Sequence, residues 1–292
     1  MNELLLSYEQ FLSETKSKNT RLSYIADLTK FIKEAVISSI EELKSVDTAS
    51  LTSFYKMLEM KGMAHSSILR ISASLKKFFS FLKNRGIIEK NPALEVELPP
   101  IQRKLPNTLT SEQVIKLLES PDTASPKGIR DRAMLELMYA TGAKVSEMIS
   151  LKVSDVSIKS EIVMITSSSG KRVVPLGRAA IDAMNLYLKR GRPEIENSDK
   201  TDILFLNFRG TPLTRQGFWK IIKYYIEKAG ISGAVTAQTL RHCFALHLLE
   251  NGADAHSVSE MLGYSDVAST KIYMDVMSSR IKKVYKDAHP RA

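Results

Sequence analysis

The stretch that decides the fold runs Thr239-Leu240-Arg241-His242-Cys243-Phe244-Ala245-Leu246-His247-Leu248-Leu249-Glu250-Asn251-Gly252, followed by Leu262-Gly263-Tyr264-Ser265 and Lys271-Ile272-Tyr273. Leu240, Phe244 and Leu248 fall at i, i+4 and i+8, so the spacing predicts a helix over 238–251 with an apolar stripe against a core. Gln238 and Arg241 are i, i+3 neighbours on the face beside that stripe. An arginine so near a core is either paired with a carboxylate or aimed at an anion such as phosphate. Spacing alone favours the carboxylate.

Working outward from this helix, the second half of the chain alternates helix and hairpin signals. Thr110-Ser111-Glu112-Gln113 is a helix start with acidic first-turn character. A buried helix is expected over 129–140 and ends at Thr141-Gly142, where glycine suits a left-handed cap. Lys144 opens a short helix over 145–151. Strands at 162–166 and 172–176 flank Ser167-Ser168-Ser169-Gly170, a turn sequence, and a short strand at 203–206 is expected to join this hairpin. Helices follow over about 214–229, 238–251, 256–262, 266–275 and 280–288.

Residues 1–98 read as nearly all helix. Leu4, Leu5, Tyr8, Phe11 and Leu12 recur at helical spacing, and Asn19 or Thr20 can cap a second helix carrying Tyr24, Leu28, Phe31 and Ile32. Further helical patterns run over 51–60 and 66–83. In the latter, Ile68, Ile71, Leu75, Phe78, Phe79 and Leu82 form one core stripe flanked by Lys76, Lys77, Lys83 and Arg85. Asn91-Pro92 ends the region. Pro99-Pro100-Ile101-Gln102-Arg103-Lys104-Leu105-Pro106 has linker character, which places a boundary at 99–107 and a second domain over 108–292.

The 292 residues carry a formal charge of +10, with a pI near 9.5. That balance favours a polyanionic partner, nucleic acid before an anionic membrane. Cys243 is the sole cysteine, which excludes an intramolecular disulfide and a Cys-rich zinc site and leaves it as a small packing residue. The start, Met1-Asn2-Glu3, lacks a leader's character, and no apolar run nears the roughly 18 residues of a membrane span. A cytoplasmic protein is expected.

An ordered set of motifs then resembles the Xer-type members of the tyrosine site-specific DNA recombinases, the phage integrase family. The set comprises Lys18-Asn19-Thr20-Arg21 with Tyr24, Ser66-Ser67-Ile68, Asn91-Pro92, Lys104-Leu105-Pro106, and Ala140-Thr141-Gly142 with Val145-Ser146-Glu147. It continues with Val174-Pro175-Leu176-Gly177, Leu240-Arg241-His242, and Leu262-Gly263 with Ile272-Tyr273. Even the ending, Ala288-His289-Pro290-Arg291-Ala292, looks like a bacterial Xer protein. Each motif is weak alone, whereas the ordered set covers essentially the whole chain.

The resemblance implies a mainly α fold with a small β-sheet. An all-α SAM-like core-binding domain and an α+β catalytic domain would close on duplex DNA as a C-shaped clamp. It implies a tyrosine that attacks the scissile phosphate to give a 3′-phosphotyrosyl link, homo- or hetero-tetramers on two sites, and no metal or nucleotide cofactor. It also implies roles of the dimer-resolution or DNA-integration type. Such metal-free phosphoryl transfer needs fixed cations around the phosphate and an acid for the leaving oxygen.

Carried over residue by residue, Tyr273 stands at the nucleophile position and Arg241 at the second arginine. Lys144 stands at the first arginine, where it keeps the charge but loses the bidentate fork; by analogy with arginine fingers that loss reaches ~10³-fold or more in rate. Ser167 occupies the hairpin-lysine position, with Lys171 the nearest substitute, although a solvated turn lysine or a phosphate contact is the favoured reading of Lys171 over a general acid. Gln238 and Tyr264 stand at the two histidine positions; glutamine donates a hydrogen bond but shuttles no proton. His242 and His247 fall where the family carries structural histidines. Arg21, Lys76, Lys77 and Arg178 are candidate DNA contacts. The C-terminal segment 280–292 is expected to dock on a neighbouring protomer. Two functions stay open: an active recombinase with an atypical site, or a non-cleaving DNA-binding partner of an active one.

Overall fold

The computed structural model describes residues 2–100, 106–168, 170–197, 200–264 and 267–277. The chain divides into two units, Met1–Arg103 and Lys104–Ala292. The expected helix over 280–288 and the docking segment 280–292 lie outside the described residues.

The N-terminal unit is helical throughout. It comprises α1 (Asn2–Thr15), α2 (Lys18–Glu34), α3 (Ile40–Lys44), α4 (Thr48–Met60), α5 (His65–Asn84) and a 3₁₀ turn, Pro92–Leu94. The predicted stripe of α5 is the core: Leu75, Phe78, Phe79 and Leu82 are wholly buried, each stabilising by roughly 1.5–3 kcal/mol. Tyr8 meets Phe78 edge-on at 5.0 Å. The cap of α2 is Ser17, whose hydroxyl accepts from the Thr20 N–H at 3.3 Å. Asn19 and Thr20 therefore lie inside the helix they were expected to cap, because Ser17 supplies the oxygen one turn earlier. Asn91 does more than end the region. Its side-chain amide donates to the Lys76 carbonyl at 3.0 Å and the Ser80 hydroxyl at 2.9 Å, while its oxygen accepts from the Ala93 N–H at 3.0 Å, pinning the exit turn to α5.

The second unit begins with α6 (Ser111–Glu119), α7 (Pro126–Thr141) and α8 (Val145–Met148). Thr110 and Gln113 form the capping box of α6. Gly142 ends α7 in the left-handed region at φ 58°. Strands β1 (Val156–Ser157), β2 (Ile162–Ser167) and β3 (Gly170–Pro175) make an antiparallel sheet in that order, with Ser167 opposite Gly170 at the hairpin end. The third strand is thus β1. The segment at 203–206 makes an isolated bridge, Lys152 to Ile203, outside the sheet, since β1 already pairs along β2.

Next come α9 (Arg178–Leu186), a π turn (Tyr187–Gly191) and α10 (Arg192–Ile195), which the sequence pattern did not resolve. The unit continues with α11 (Arg215–Lys228), α12 (Ala237–Glu250), α13 (Ala255–Leu262) and a 3₁₀ turn, Val267–Thr270. Helix α14 spans 271–277, so the single helix expected over 266–275 is a 3₁₀ turn followed by an α-helix.

A buried ionic network anchors α7 to its neighbours. Arg130 Nε and Nη2 donate to Asp131 Oδ1 at 2.8 and 2.6 Å, and Nη1 donates to the Leu206 carbonyl at 3.0 Å. Tyr225 of α11 donates to the other Asp131 oxygen at 2.9 Å. Replacing Asp131 with Ala strands a buried guanidinium. Urea denaturation is expected to show a loss of about 3–5 kcal/mol, against about 1 kcal/mol for Tyr225→Phe.

Candidate active site

The site is built around Arg241. Thr236 caps α12, accepting from the Thr239 N–H at 3.3 Å. The helix is buried on nearly every side, which leaves Arg241 1% exposed. Among the described residues its guanidinium is paired with no carboxylate. Nη1 donates to the Gly142 carbonyl at the end of α7 and Nη2 to the Leu262 carbonyl at the end of α13, the latter at 2.8 Å. The carboxylate expected from spacing is instead replaced by two helix-terminal carbonyls, groups that carry the negative end of the helix dipole. The Tyr264 ring closes the remaining side, its centroid 5.0 Å from Arg241 Cζ.

Close approach explains Gly142. A Cβ there would come within 2.5 Å of Phe244 Cδ1 and 2.8 Å of Leu262 Cδ2. Glycine therefore serves both the left-handed cap and the packing of α7 against α12 and α13.

Tyr273, on α14, has no exposed surface. Its hydroxyl lies 3.0 Å from His242 Nδ1 and 3.3 Å from the Tyr264 hydroxyl. Burial above all, and then the Tyr264 hydrogen bond, push its ionisation far above the ordinary tyrosine value, outweighing the nearby charge of Arg241. Burial and the Arg241 charge push His242 down from the usual histidine value, so its imidazole is neutral at neutral pH. Both ring nitrogens of His247 have protein partners: Nδ1 sits 2.9 Å from the Tyr139 hydroxyl and Nε2 3.1 Å from the Leu109 carbonyl. His242 instead meets the tyrosine at the nucleophile position.

The other site positions lie further out. Lys144 is exposed at the start of α8, where its N–H donates to Glu147 at 2.8 Å. Gln238 is exposed while Arg241, three residues on, is buried, so the face they were expected to share is split between solvent and core. The Ser167 hydroxyl donates to the Gly170 carbonyl at 3.2 Å. Lys171 is exposed opposite Thr166. Ser167, Lys171 and Tyr264 nevertheless line one cleft of about 500 Å³, with Ser257 and Glu260 on its far wall.

One residue passed over in the sequence, Arg172, organises this region together with Glu147. Arg172 of β3 forks onto Glu147 at 3.0 and 2.7 Å and donates from Nε to the Met261 carbonyl at 2.7 Å. It thereby joins α8, β3 and α13. The signal was the strand parity: Arg172 shares a face with buried Val174, an inward position that demands a partner for a charge. Outside this cluster, α11 presents Arg215, Trp219, Lys220 and Lys223 to solvent, with Lys223 Nζ 5.5 Å from the Trp219 ring.

The candidate DNA contacts differ in environment. Arg21 approaches Glu9 at 3.9 Å, Lys77 sits 5.0 Å over the Phe11 ring, and Lys76 is half-buried. Arg178 is exposed and 3.3 Å from Asp182. Among the described residues, no group of three or more His, Cys, Asp or Glu gathers where it could hold a metal ion. None of the described helices is long and apolar enough to cross a membrane.

With this geometry in place, the relatives are informative. Residues 107–280 match the phage integrase family, and residues 5–86 match the phage integrase N-terminal SAM-like domain. Tyrosine recombinase XerD of Listeria monocytogenes serotype 4b is 39% identical over 297 residues, with all of both chains covered. Tyrosine recombinase XerD of Staphylococcus epidermidis is 40% identical over 295 residues, again with full coverage of both. Among solved structures, XerH site-specific recombinase bound to a palindromic difH substrate superposes with a TM-score of 0.76 at 24% identity, covering 90% of this chain and 78% of that one. A lambda integrase dimer bound to a core site gives 0.72 at 18% identity, with 94% of each chain covered. The chain belongs to the phage integrase family. Within it, this is an Xer-like tyrosine recombinase, mainly helical with a small three-stranded sheet.

The Arg172–Glu147 pair makes a pH prediction. Burial pushes the Glu147 carboxyl up, but the Arg172 hydrogen bonds, the Lys144 N–H and the Arg172 and Arg241 charges outweigh it and hold the group below the ordinary glutamate value. A lowered carboxyl contributes stability that is complete above the ordinary value of 4.5 and is lost as pH falls through the native one. The stability gap between the natural chain and Glu147→Gln is therefore expected to be widest above pH ~5 and to narrow steadily below ~4.5, as measured by urea melts across pH.

Proposed function

We propose that this chain is a subunit that binds duplex DNA at a specific site and cleaves it poorly or not at all, acting beside a cleavage-competent recombinase. Its relatives XerH and lambda integrase are described in complex with DNA. The formal charge of +10 and the basic, aromatic outer face of α11 suit a polyanionic partner.

What carries impaired cleavage is the residue types at the cationic positions of the family pattern, beside a buried Tyr273. Phosphoryl transfer without a metal needs a planar fork on the phosphate and an acid for the leaving 5′-oxygen. Here the fork position holds the exposed Lys144, and the hairpin position holds Ser167. Loss of a clamping arginine costs roughly 10³-fold or more, and loss of a general acid a further ~10²-fold or more. Gln238, at one histidine position, donates a hydrogen bond but shuttles no proton; Tyr264 stands at the other.

A second reading has its own support. Lys171 lines the same cleft as Ser167 and Tyr264, which suits it to serve as an acid from a displaced position. For assembly on two sites as a homo- or hetero-tetramer, the relevant feature is an apolar groove of about 820 Å³ walled by Tyr139, Leu176, Phe244, Leu248 and Met261. Segment 280–292 of a neighbouring protomer is the occupant we assign to it. Roles of the dimer-resolution, integration or regulatory type follow from such an assembly.

A nicked suicide duplex carrying a sequence selected by the chain itself from a random library tests the cleavage claim. No covalent protein–DNA product is expected on a denaturing gel, even at high protein and long times. Joint replacement Lys144→Arg, Ser167→Lys, Gln238→His and Tyr264→His is expected to create one, abolished by Tyr273→Phe. A covalent product from the natural chain within minutes would overturn impaired cleavage, and its loss in Lys171→Ala would establish the second reading. Binding itself is expected to weaken about tenfold or more between 50 and 200 mM salt in a gel-shift titration.

A further inference from the structure

We propose that Tyr264 is a positioning residue: together with His242 it holds the Tyr273 hydroxyl in a withdrawn position, while its ring covers Arg241. The proposal rests on Tyr273 being the nucleophile position and adds what controls its access.

The geometry is a three-member chain. Tyr273 has one proton and two neighbours, His242 Nδ1 at 3.0 Å and the Tyr264 hydroxyl at 3.3 Å. With neutral His242 the chain runs one of two ways: Tyr273 donates to Nδ1 and accepts from Tyr264, or accepts from Nδ1–H and donates to Tyr264. Both bonding directions of the phenol are thus used inside the protein. Tyr264 itself is only half-buried and lines the open cleft beside Lys171, so it stands between the cleft and the wholly buried Tyr273.

The ring of Tyr264 does a second job. Arg241 already gives hydrogen bonds to Gly142 and Leu262, and the ring lies against its guanidinium at 5.0 Å. A phosphate approaching Arg241 from that side, and a Tyr273 leaving its pocket, both require Tyr264 to move. An imidazole at this position is shorter than a phenol and lacks the outer hydroxyl that reaches Tyr273. The hydroxyl contact that helps hold Tyr273 is therefore specific to tyrosine at 264.

Tetranitromethane nitration of the full-length chain, resolved by peptide mass spectrometry, reads the proposal directly, because the reagent attacks accessible, ionisable phenols. In the natural chain, Tyr273 is expected to react far more slowly than Tyr224, which is 53% exposed. Tyr264→Phe and Tyr264→His are each expected to raise the Tyr273 rate roughly three- to tenfold, the scale one hydrogen bond lends to a closed state. Tyr8 and Tyr187, wholly buried elsewhere, serve as folding controls and should stay slow. His242→Gln, which keeps a side-chain acceptor, should change the Tyr273 rate less than His242→Ala.

A Tyr273 that reacts as fast as Tyr224 in the natural chain overturns the proposal. So does a rate unchanged by both Tyr264 variants, or a joint rise of Tyr8, Tyr187 and Tyr273 in both, which would make Tyr264 a core residue. Nitration reports the state of Tyr273 whether or not DNA is cut. A flat nitration profile therefore removes the positioning role alone, and a covalent DNA product from the natural chain removes impaired cleavage alone.

Discussion

The second unit depends on one guanidinium shared between two helix ends. Arg241 donates to the last carbonyls of α7 and α13 through Gly142 and Leu262. Helix termini leave carbonyls without partners, and burying them unpaired is costly. A charged donor from a third helix satisfies both at once and sits at the negative ends of both dipoles. The chain turns left-handed at Gly142 and again at Gly263. Those two turns lead directly into Lys144 and Tyr264.

That arrangement separates scaffold from chemistry. Arg241 would be required for packing even in a chain that never meets a phosphate, because its removal leaves two helix ends unsatisfied. Arg172 behaves alike, tying β3 to α8 through Glu147 and to α13 through Met261. Lys144 and Gln238 are exposed and carry no comparable share of the core, whereas the half-buried Tyr264 packs against the cluster of Phe244, Leu262 and Tyr273. Substitutions at exposed positions such as Lys144 and Gln238 leave the fold intact.

Tyr273 shows how packing and reactivity oppose each other. A phenol attacks phosphorus only after its proton is transferred. Burial disfavours the charged form, and both neighbours of the hydroxyl are protein groups. The buried state that packs α14 against α12 is thus also a state in which this phenol is poorly reactive.

Much of this was legible in the sequence. Periodicity placed the long helices, Thr110 and Gln113 announced the start of α6, and Gly142 announced the end of α7, because caps and left-handed turns are set by residues a few positions apart. The ordered motifs placed the chain in its family. Helical spacing gives direction around an axis but neither depth nor partner. It put Gln238 and Arg241 on one face, and only the packing of α7 and α13 over α12 buried one and exposed the other. It could not show that Arg241 would meet carbonyls in place of a carboxylate, that Ile203 would bridge to Lys152 outside the sheet, or that His242 would reach a tyrosine thirty-one positions away. Those contacts join segments distant along the chain, and they exist only once the core has brought them together.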